Sequence, residues 1–308
     1  MNDRYQSEEA NLASHISGVL VVDKPTGMTS HDVVQIIRSG THIRRAGHAG
    51  TLDPRASGVL VVLLGPAVRL SEYVSASEKR YQAIVQFGIT TDSYDLESPV
   101  NKRLPVEITE DELRETLQEF IGTFEQKPPI YSAIKVGGRK AYDMARNGED
   151  VQLEPREVTV HNIDLLEWEA PEAILDVQCS SGTYVRSLAN DLGEKLGCGA
   201  TLIGLRRTKS GQFGLRNAIP LRKLQEAFVN GDWYQYIIPA SEALGDWYKV
   251  DLEEADVDNI RHGHRIPAKE VMVAGKWARG IDGESELIAL LEYIPETQEW
   301  QPKKVFFQ

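Results

Sequence analysis

The chain has 308 residues, 41% of them hydrophobic, with a formal net charge of −12 and a sequence pI of about 5.2. That length suits one large domain and a small one. Two cysteines, Cys179 and Cys198, exclude a disulfide framework, lack metal-site spacing and point to a reducing compartment.

Net acidity lowers the expectation of a nucleic-acid partner. The acid, however, is concentrated in 92–125 and 251–258, whereas Arg38–Arg55, Lys127–Arg146 and Arg186–Arg222 carry a basic excess. Exposed charges are screened beyond about 8–10 Å, so local patches decide phosphate contact. The first seventeen residues are polar, without a signal-peptide core, and no apolar run approaches a membrane span. The expectation is a cytoplasmic protein without membrane contact.

Residues 1–17 read as a disordered tail. Gly18–Val22 is a short strand, 23–30 a turn, and Thr29 or Ser30 caps a helix over His31–Ser39. The string Gly47-His48-Ala49-Gly50-Thr51-Leu52-Asp53-Pro54-Arg55-Ala56-Ser57-Gly58 then runs into Val59–Leu64, a strand without alternation and so buried on both faces. Gly47, Gly50 and Gly58 allow positive φ or close approach, and Pro54 biases Asp53 towards an extended conformation. Asp53 is thus held on a loop at the mouth of a buried strand, with His48 and Arg55 as flanking donors. An Asx-type turn is the plain alternative for the same residues. Lys24, taken alone, is a solvated turn lysine.

Ala67–Val74 reads as helix, and Ser77–Tyr81 leads into the strand Gln82–Phe87, where Tyr81 suits a core position. Ile108–Ile121 is an acidic amphipathic helix with Leu113, Leu117, Phe120 and Ile121 on its apolar face. Residues 127–146 combine Pro128-Pro129 and Gly137-Gly138 with Lys135, Arg139, Lys140 and Arg146 and with Tyr131 and Tyr142. That composition suits a loop without an apolar core of its own, mobile until it clasps nucleic acid, or an ordinary surface loop. Val158–Trp168 and Ala173–Gln178 pair as strands. A strand-turn-helix passage over 179–193 puts Arg186 early in a helix, where a surface ion pair with Asp191 or another acid is the plain reading. Beyond Trp247, short strands near Val250, Ile260, Ile266, Val271–Ala274 and Leu287–Ile294, with turns at Gly275, Gly280 and Asp282-Gly283, suggest a small all-β module or an extension of the main sheet.

The Asp53 string resembles the central motif of the pseudouridine synthases of the bacterial tRNA pseudouridine-55 type. So do Asp23-Lys24-Pro25-Thr26-Gly27-Met28-Thr29-Ser30, the Lys79-x-Tyr81 pair, Thr90–Asp95, Pro128–Arg146, Ser181-Gly182-Thr183-Tyr184-Val185-Arg186-Ser187-Leu188 and Leu205–Phe213. The match departs at Ser98, where a glycine is usual. The resemblance covers Gly18–Phe213 well and implies an α/β (α+β) fold. A pseudouridine-synthase core over 18–248 would carry a mixed, largely antiparallel sheet flanked by helices, and 249–308 a small all-β PUA-like RNA-binding domain.

The resemblance implies roles as well. Asp53 is the catalytic nucleophile, Arg186 pairs with that carboxylate, and the Tyr81 ring lies against the target uracil. Leu205 lines the uracil pocket, and His48 fills the gap left by an everted base. Lys24 and Tyr184 join the substrate site, and Lys135, Arg139, Lys140 and Arg146 grip the T arm of tRNA. The reaction is redox-neutral, and the chain shows neither metal-ligand clustering nor a nucleotide fingerprint, so no cofactor and no metal are expected. The expected partner is tRNA, met by a monomer without a protein partner. Competing readings are a guide-RNA-dependent catalytic subunit and a non-catalytic tRNA-folding protein. For a two-carboxylate glycosidase, no second acid partner of Asp53 can be named.

Overall fold

The structure, a computed structural model, describes residues 16–131, 135–141, 144, 147, 149 and 151–306. In chain order, strand β1 (Gly18–Lys24) leads to helix α1 (Ser30–Thr41), β2 (Ala46–His48), β3 (Ser57–Leu64), a 3-10 turn (Gly65–Leu70), the short helix α2 (Ser71–Ser75) and β4 (Lys79–Phe87). Then come α3 (Glu110–Glu119), β5 (Gly122–Gln126), β6 (Arg156–Glu169), β7 (Glu172–Cys179), α4 (Val185–Lys195), β8 (Ala200–Ser210) and α5 (Leu221–Asn230). The C-terminal part adds β9 (Tyr248–Asp251), α6 (Glu254–Arg261), β10 (Ile266–Pro267), β11 (Trp277–Ile281), β12 (Leu287–Ile294) and β13 (Glu299–Val305). Two compact units result: Met1–Asp53, Leu60–Ser75 and Gln212–Gln308 form one, Pro54–Val59 and Ala76–Gly211 the other. The expected tail over 1–17 falls outside the described residues except for Ile16 and Ser17.

In the first unit, β1 lies beside β3, and both are buried throughout their apolar runs, Val19–Val22 and Leu60–Leu64. Strands covered on both faces have no polar side to show, which is why neither run alternates. Antiparallel β2 sets His48 opposite Val62. Helix α1 starts on a capping box: Thr29 Oγ1 accepts from the Asp32 N–H at 3.0 Å and the Asp32 carboxylate from the Thr29 N–H at 2.8 Å. Its face of Val33, Val34 and Ile37 is buried. Gly40 lets Phe228 of α5 approach: a Cβ there would lie 2.2 Å from the ring.

The five C-terminal strands form their own sheet, in the order β9–β11–β12–β13–β10, rather than extending the main one. Leu252, Ile260, Ile266, Leu291, Tyr293 and Trp300 belong to its core. Three details differ from expectation. Ile260 sits on helix α6, not a strand, because Glu253 and Asp256 make a capping box. Val271 and Val273 are 75% and 79% exposed and in no strand. Gly280 lies inside β11, where a Cβ would stand 3.0 Å from Leu252 and 3.2 Å from Leu291; close packing, not a turn, explains that glycine.

The second unit is a sheet in the order β8–β4–β7–β6–β5 with antiparallel pairing, and the start of β3 runs parallel to β8, Arg206 opposite Ser57 and Arg207 opposite Gly58. Mixed and largely antiparallel is what the resemblance implies. Alternation on β4 buries Lys79, Tyr81, Ala83, Val85 and Phe87. Helix α4 packs on β8 and α3 on β6. Leu113 and Leu117 are buried as expected, but Ile121 is 37% exposed, because α3 stops at Glu119 and the chain turns at Gly122 into β5.

Gly58 shows what the glycines near Asp53 do. Its φ is +99°, and a Cβ would lie 2.2 Å from the Arg207 carbonyl oxygen. Gly50 also has positive φ, at 100°. Gly47 needs neither: a Cβ there would meet nothing closer than Val68 at 3.8 Å. Gly58→Ala is therefore expected to destabilise the protein by about 2–4 kcal/mol, through left-handed strain plus a backbone clash, and Gly47→Ala to be near neutral. Denaturant midpoints of the two variants check this; equal effects would contradict it.

Residues 127–146 hold a two-residue hairpin, Lys135–Val136 against Arg139–Lys140, turned at Gly137 and Gly138. The segment also has a small apolar cluster, contrary to expectation: Ala141 packs with Val151 and Leu153, and with Ile130 and Met144. Val151 and Leu153 lie beyond the basic window, which is why its composition hides them. Arg139 meets no bare repulsion, since its guanidinium donates to both Glu149 oxygens at 2.9 and 2.6 Å. Tyr142 and Arg146 lie outside the described residues.

Candidate active site

Asp53 is half-buried and its backbone is gripped just upstream. The buried Ser30 hydroxyl, at the start of α1, accepts from the Leu52 N–H at 2.8 Å and lies 3.0 Å from the Leu52 carbonyl, to which it donates. Upstream, the Ala49 N–H donates to the Val61 carbonyl at 2.9 Å, so the string leaves the strand pairing only after Ala49. Lys24 is fully buried, not solvated. Its ammonium donates to the Pro25 and Met28 carbonyls at 2.9 and 2.7 Å, folding the turn that delivers Thr29 and Ser30. His48 is half-buried at the end of β2. Lys24, His48 and Asp53 thus belong to the first unit; Tyr81, Lys135, Arg139, Lys140, Tyr184, Arg186 and Leu205 belong to the second.

In the second unit, Tyr81 is 9% exposed on β4, opposite Val177 on one side and Arg207 on the other. Leu205 on β8 is half-buried, opposite Ala83. Tyr184 caps α4, and its backbone is bracketed by the Gln126 amide, which accepts from the Tyr184 N–H at 2.8 Å and donates to its carbonyl at 3.0 Å.

Arg186 is 4% exposed, so its ion pair is not at the surface, and the acid it meets is Asp95 rather than Asp191. Its Nη1 donates to Asp95 Oδ2 at 3.0 Å and lies 3.4 Å from the Ser93 carbonyl, while Nη2 donates to the Tyr131 carbonyl at 3.1 Å. Asp95 is itself held: Oδ1 accepts from Ser93 Oγ at 2.6 Å and from the Glu97 N–H at 2.8 Å. Backbone strain accompanies this loop, since Tyr94 has φ +62°, a conformation that costs a non-glycine residue about 1–3 kcal/mol. Ser98, the departure from the family pattern, donates its N–H to Ser93 Oγ at 3.1 Å and closes the loop. A buried ion pair is stable only with such further hydrogen bonds. Asp95, Ser30 and Gln126 hold Arg186, Leu52 and Tyr184 respectively, and none of these three long-range contacts is expected from the sequence. The Thr90–Asp95 and Asp23–Ser30 strings signal the first two residues, though not their partners; nothing local signals Gln126.

Lys79, two residues before Tyr81, is 5% exposed and donates to the Ser77 carbonyl at 2.6 Å. Burial, and then the Arg207 guanidinium, push its pKa from 10.5 down to about 8. Between those values the unfolded chain holds a proton that the folded chain does not, so this residue makes stability rise with pH across that window. The whole effect is on the order of 3 kcal/mol. Lys79→Met is expected to be more stable than wild type at pH 7, with the advantage shrinking by pH 10; a constant difference across that range would contradict the assignment.

Residues 38–185 match the profile of the TruB family pseudouridylate synthase N-terminal domain, and residues 186–244 that of the tRNA pseudouridylate synthase B C-terminal domain. A tRNA pseudouridine synthase B of Solibacter usitatus is 40% identical over 282 residues, covering 91% of this chain and 96% of its own. The chain belongs to the TruB family of pseudouridylate synthases. Its Pseudomonas aeruginosa relative of the same name is 40% identical over 280 residues, covering 90% of this chain and 92% of its own. Among solved structures, one of an H/ACA RNP bound to a substrate RNA containing 2'-deoxyuridine has a chain 26% identical to this one, with a TM-score of 0.75 over 97% of this chain and 87% of the other. A Cbf5–Nop10–Gar1 complex gives 28% identity and the same TM-score and coverage. The family makes the chain an isomerase, and the strings around Asp53, Tyr81 and Arg186 lie within or at the edge of the matched regions. Among the described residues, no helix is long and apolar enough to cross a membrane.

Proposed function

We propose that the chain converts the uridine at position 55, in the T loop of tRNA, to pseudouridine, acting alone in the cytoplasm with Asp53 as nucleophile. The relatives' names support tRNA as substrate. The observation that carries the role of Asp53 is the two-way clamp of Ser30 on Leu52, which fixes the peptide immediately before the carboxylate. The reaction is an isomerisation: the N1–C1′ bond breaks, the uracil turns, C5–C1′ forms, and the C5 proton is lost while N1 regains one. Asp53 attacks the substrate or stabilises the sugar cation, for which it must be ionised. Arg186 supplies a guanidinium to keep it so and to fix its orientation, and Asp95 holds Arg186. Tyr81 stacks on the base and its hydroxyl relays the C5 proton. Everting the uridine costs a few kcal/mol of unstacking; His48 fills the vacated space and Leu205 lines the pocket. Lys24 and Tyr184 complete the substrate site, while Lys135, Arg139, Lys140 and Arg146 meet phosphates, with RNA displacing Glu149 from Arg139.

A guide-RNA-dependent subunit is the second reading, favoured by the likeness to chains solved within an H/ACA RNP and a Cbf5–Nop10–Gar1 complex. Purified protein incubated with a tRNA transcript and nothing else separates the two. Pseudouridine formation supports the stand-alone enzyme; activity only on adding guide RNA and protein partners contradicts it.

A further inference from the structure

Residues 65–75 make up most of the link from β3, which follows the Asp53 loop, to β4, which begins at Lys79 and carries Tyr81. That stretch is a six-residue 3-10 turn and a five-residue helix. Segments that short do not hold their shape alone, so tertiary contacts must fix this one. Those contacts come from the C-terminal sheet of the same unit and from Trp247 and Phe306, which flank its strands. Arg69 Nη1 donates to the Val305 carbonyl at 2.5 Å, and its guanidinium lies 5.1 Å over the Phe306 ring. Lys304 donates to the Arg69 carbonyl at 2.9 Å, pairs with the Glu72 carboxylate, and sits 4.9 Å over the Tyr73 ring. Tyr73 is edge-on to Trp247 at 5.5 Å and packs against Trp277 at 5.4 Å. Arg279, on β11, then ties the 241–247 passage with bonds to the Ser241 and Gly245 carbonyls at 2.5 and 3.1 Å.

We infer that the C-terminal sheet is a working part of the catalytic apparatus, with Lys304, Arg69 and Tyr73 as positioning residues that hold the connector between the Asp53 strand and the Tyr81 strand. The alternative is a tethered RNA-binding module that contributes affinity alone. The contacts favour the first. Lys304 is a cation placed on a carbonyl, a carboxylate and a ring at once, its side chain only 20% exposed, so it faces the connector rather than solvent. A phosphate-binding lysine serving affinity alone has no reason to be occupied in this way. The inference rests on Asp53 and Tyr81 being the reacting groups.

The test uses the full-length chain and a tRNA transcript, and measures the single-turnover rate at saturating RNA together with Kd. Lys304→Ala is expected to slow turnover about tenfold, equivalent to ~1.4 kcal/mol in the barrier, with Kd changed less than twofold. Lys304→Arg, which keeps cation, donor and ring contact, is expected to restore most of the rate. Should Lys304→Ala fail to fold, Glu72→Gln carries the same readout with a smaller lesion. A folded Lys304→Ala protein with wild-type turnover overturns the inference, and so does a rise in Kd with turnover unchanged. Asp53→Asn runs alongside: if it stays active, the assignment of the reacting groups has failed; if it is inactive while Lys304→Ala is normal, only the positioning role has failed.

Discussion

Asp53→Asn and Asp53→Ala are expected to lower pseudouridine formation by more than about 10³-fold, over ~4 kcal/mol of transition-state stabilisation. Affinity for tRNA should stay within about tenfold, roughly 1.4 kcal/mol. The two readouts separate because a single half-buried carboxylate contributes little to holding a polyanion, whereas no other acid occupies the motif. Stability should change far less than turnover, since Ser30 on Leu52 and the pairing of Gly58 with β8 hold the loop on both sides of residue 53. Rapid-quench turnover and filter binding on the same preparations check both halves. Substantial turnover by Asp53→Ala would remove the nucleophile from the scheme.

Arg186→Lys is expected to fold and yet lose about 10²-fold or more in turnover, because an ammonium cannot reproduce the forked geometry of a guanidinium. The structure sharpens that expectation. Arg186 reaches Asp95, Ser93 and Tyr131 with two nitrogens, and charge-assisted hydrogen bonds of this kind contribute roughly 1.5–3 kcal/mol each. A lysine can keep one of them. Asp95→Asn is expected to move in the same direction, since it removes the charge that orients Arg186 while keeping the shape of the side chain. Wild-type rates in both variants would show that this buried pair is structural only.

The Asp53 region was legible because its signals are local: glycines, one proline, and an apolar run without alternation that ends up buried on both faces. Thr29 as a cap and the paired strands around Trp168 and Ala173 were legible for the same reason. What stayed hidden depends on distance along the chain. Asp95 lies 91 residues before Arg186 and Ser30 lies 22 before Leu52, and no periodicity encodes either contact. Lys24 reads as a surface residue until its turn closes round the ammonium. In the C-terminal sheet, alternation is too short to tell strand from helix, so Ile260 reads as strand, although Glu253 and Asp256 cap α6. Gly280 misled in the opposite sense, because a glycine demanded by Leu252 and Leu291 looks the same in sequence as one demanded by a turn.

Nucleotide-resolution mapping of pseudouridine tests the central claim most directly. Purified wild-type protein, with no other RNA or protein added, is incubated with an unmodified tRNA transcript, beside Asp53→Asn protein and a transcript carrying cytidine in place of the T-loop uridine. One pseudouridine, at the T-loop position, with none from Asp53→Asn and none in the cytidine transcript, is the predicted result. Pseudouridine elsewhere in the tRNA, or the same T-loop product from Asp53→Asn, would contradict it.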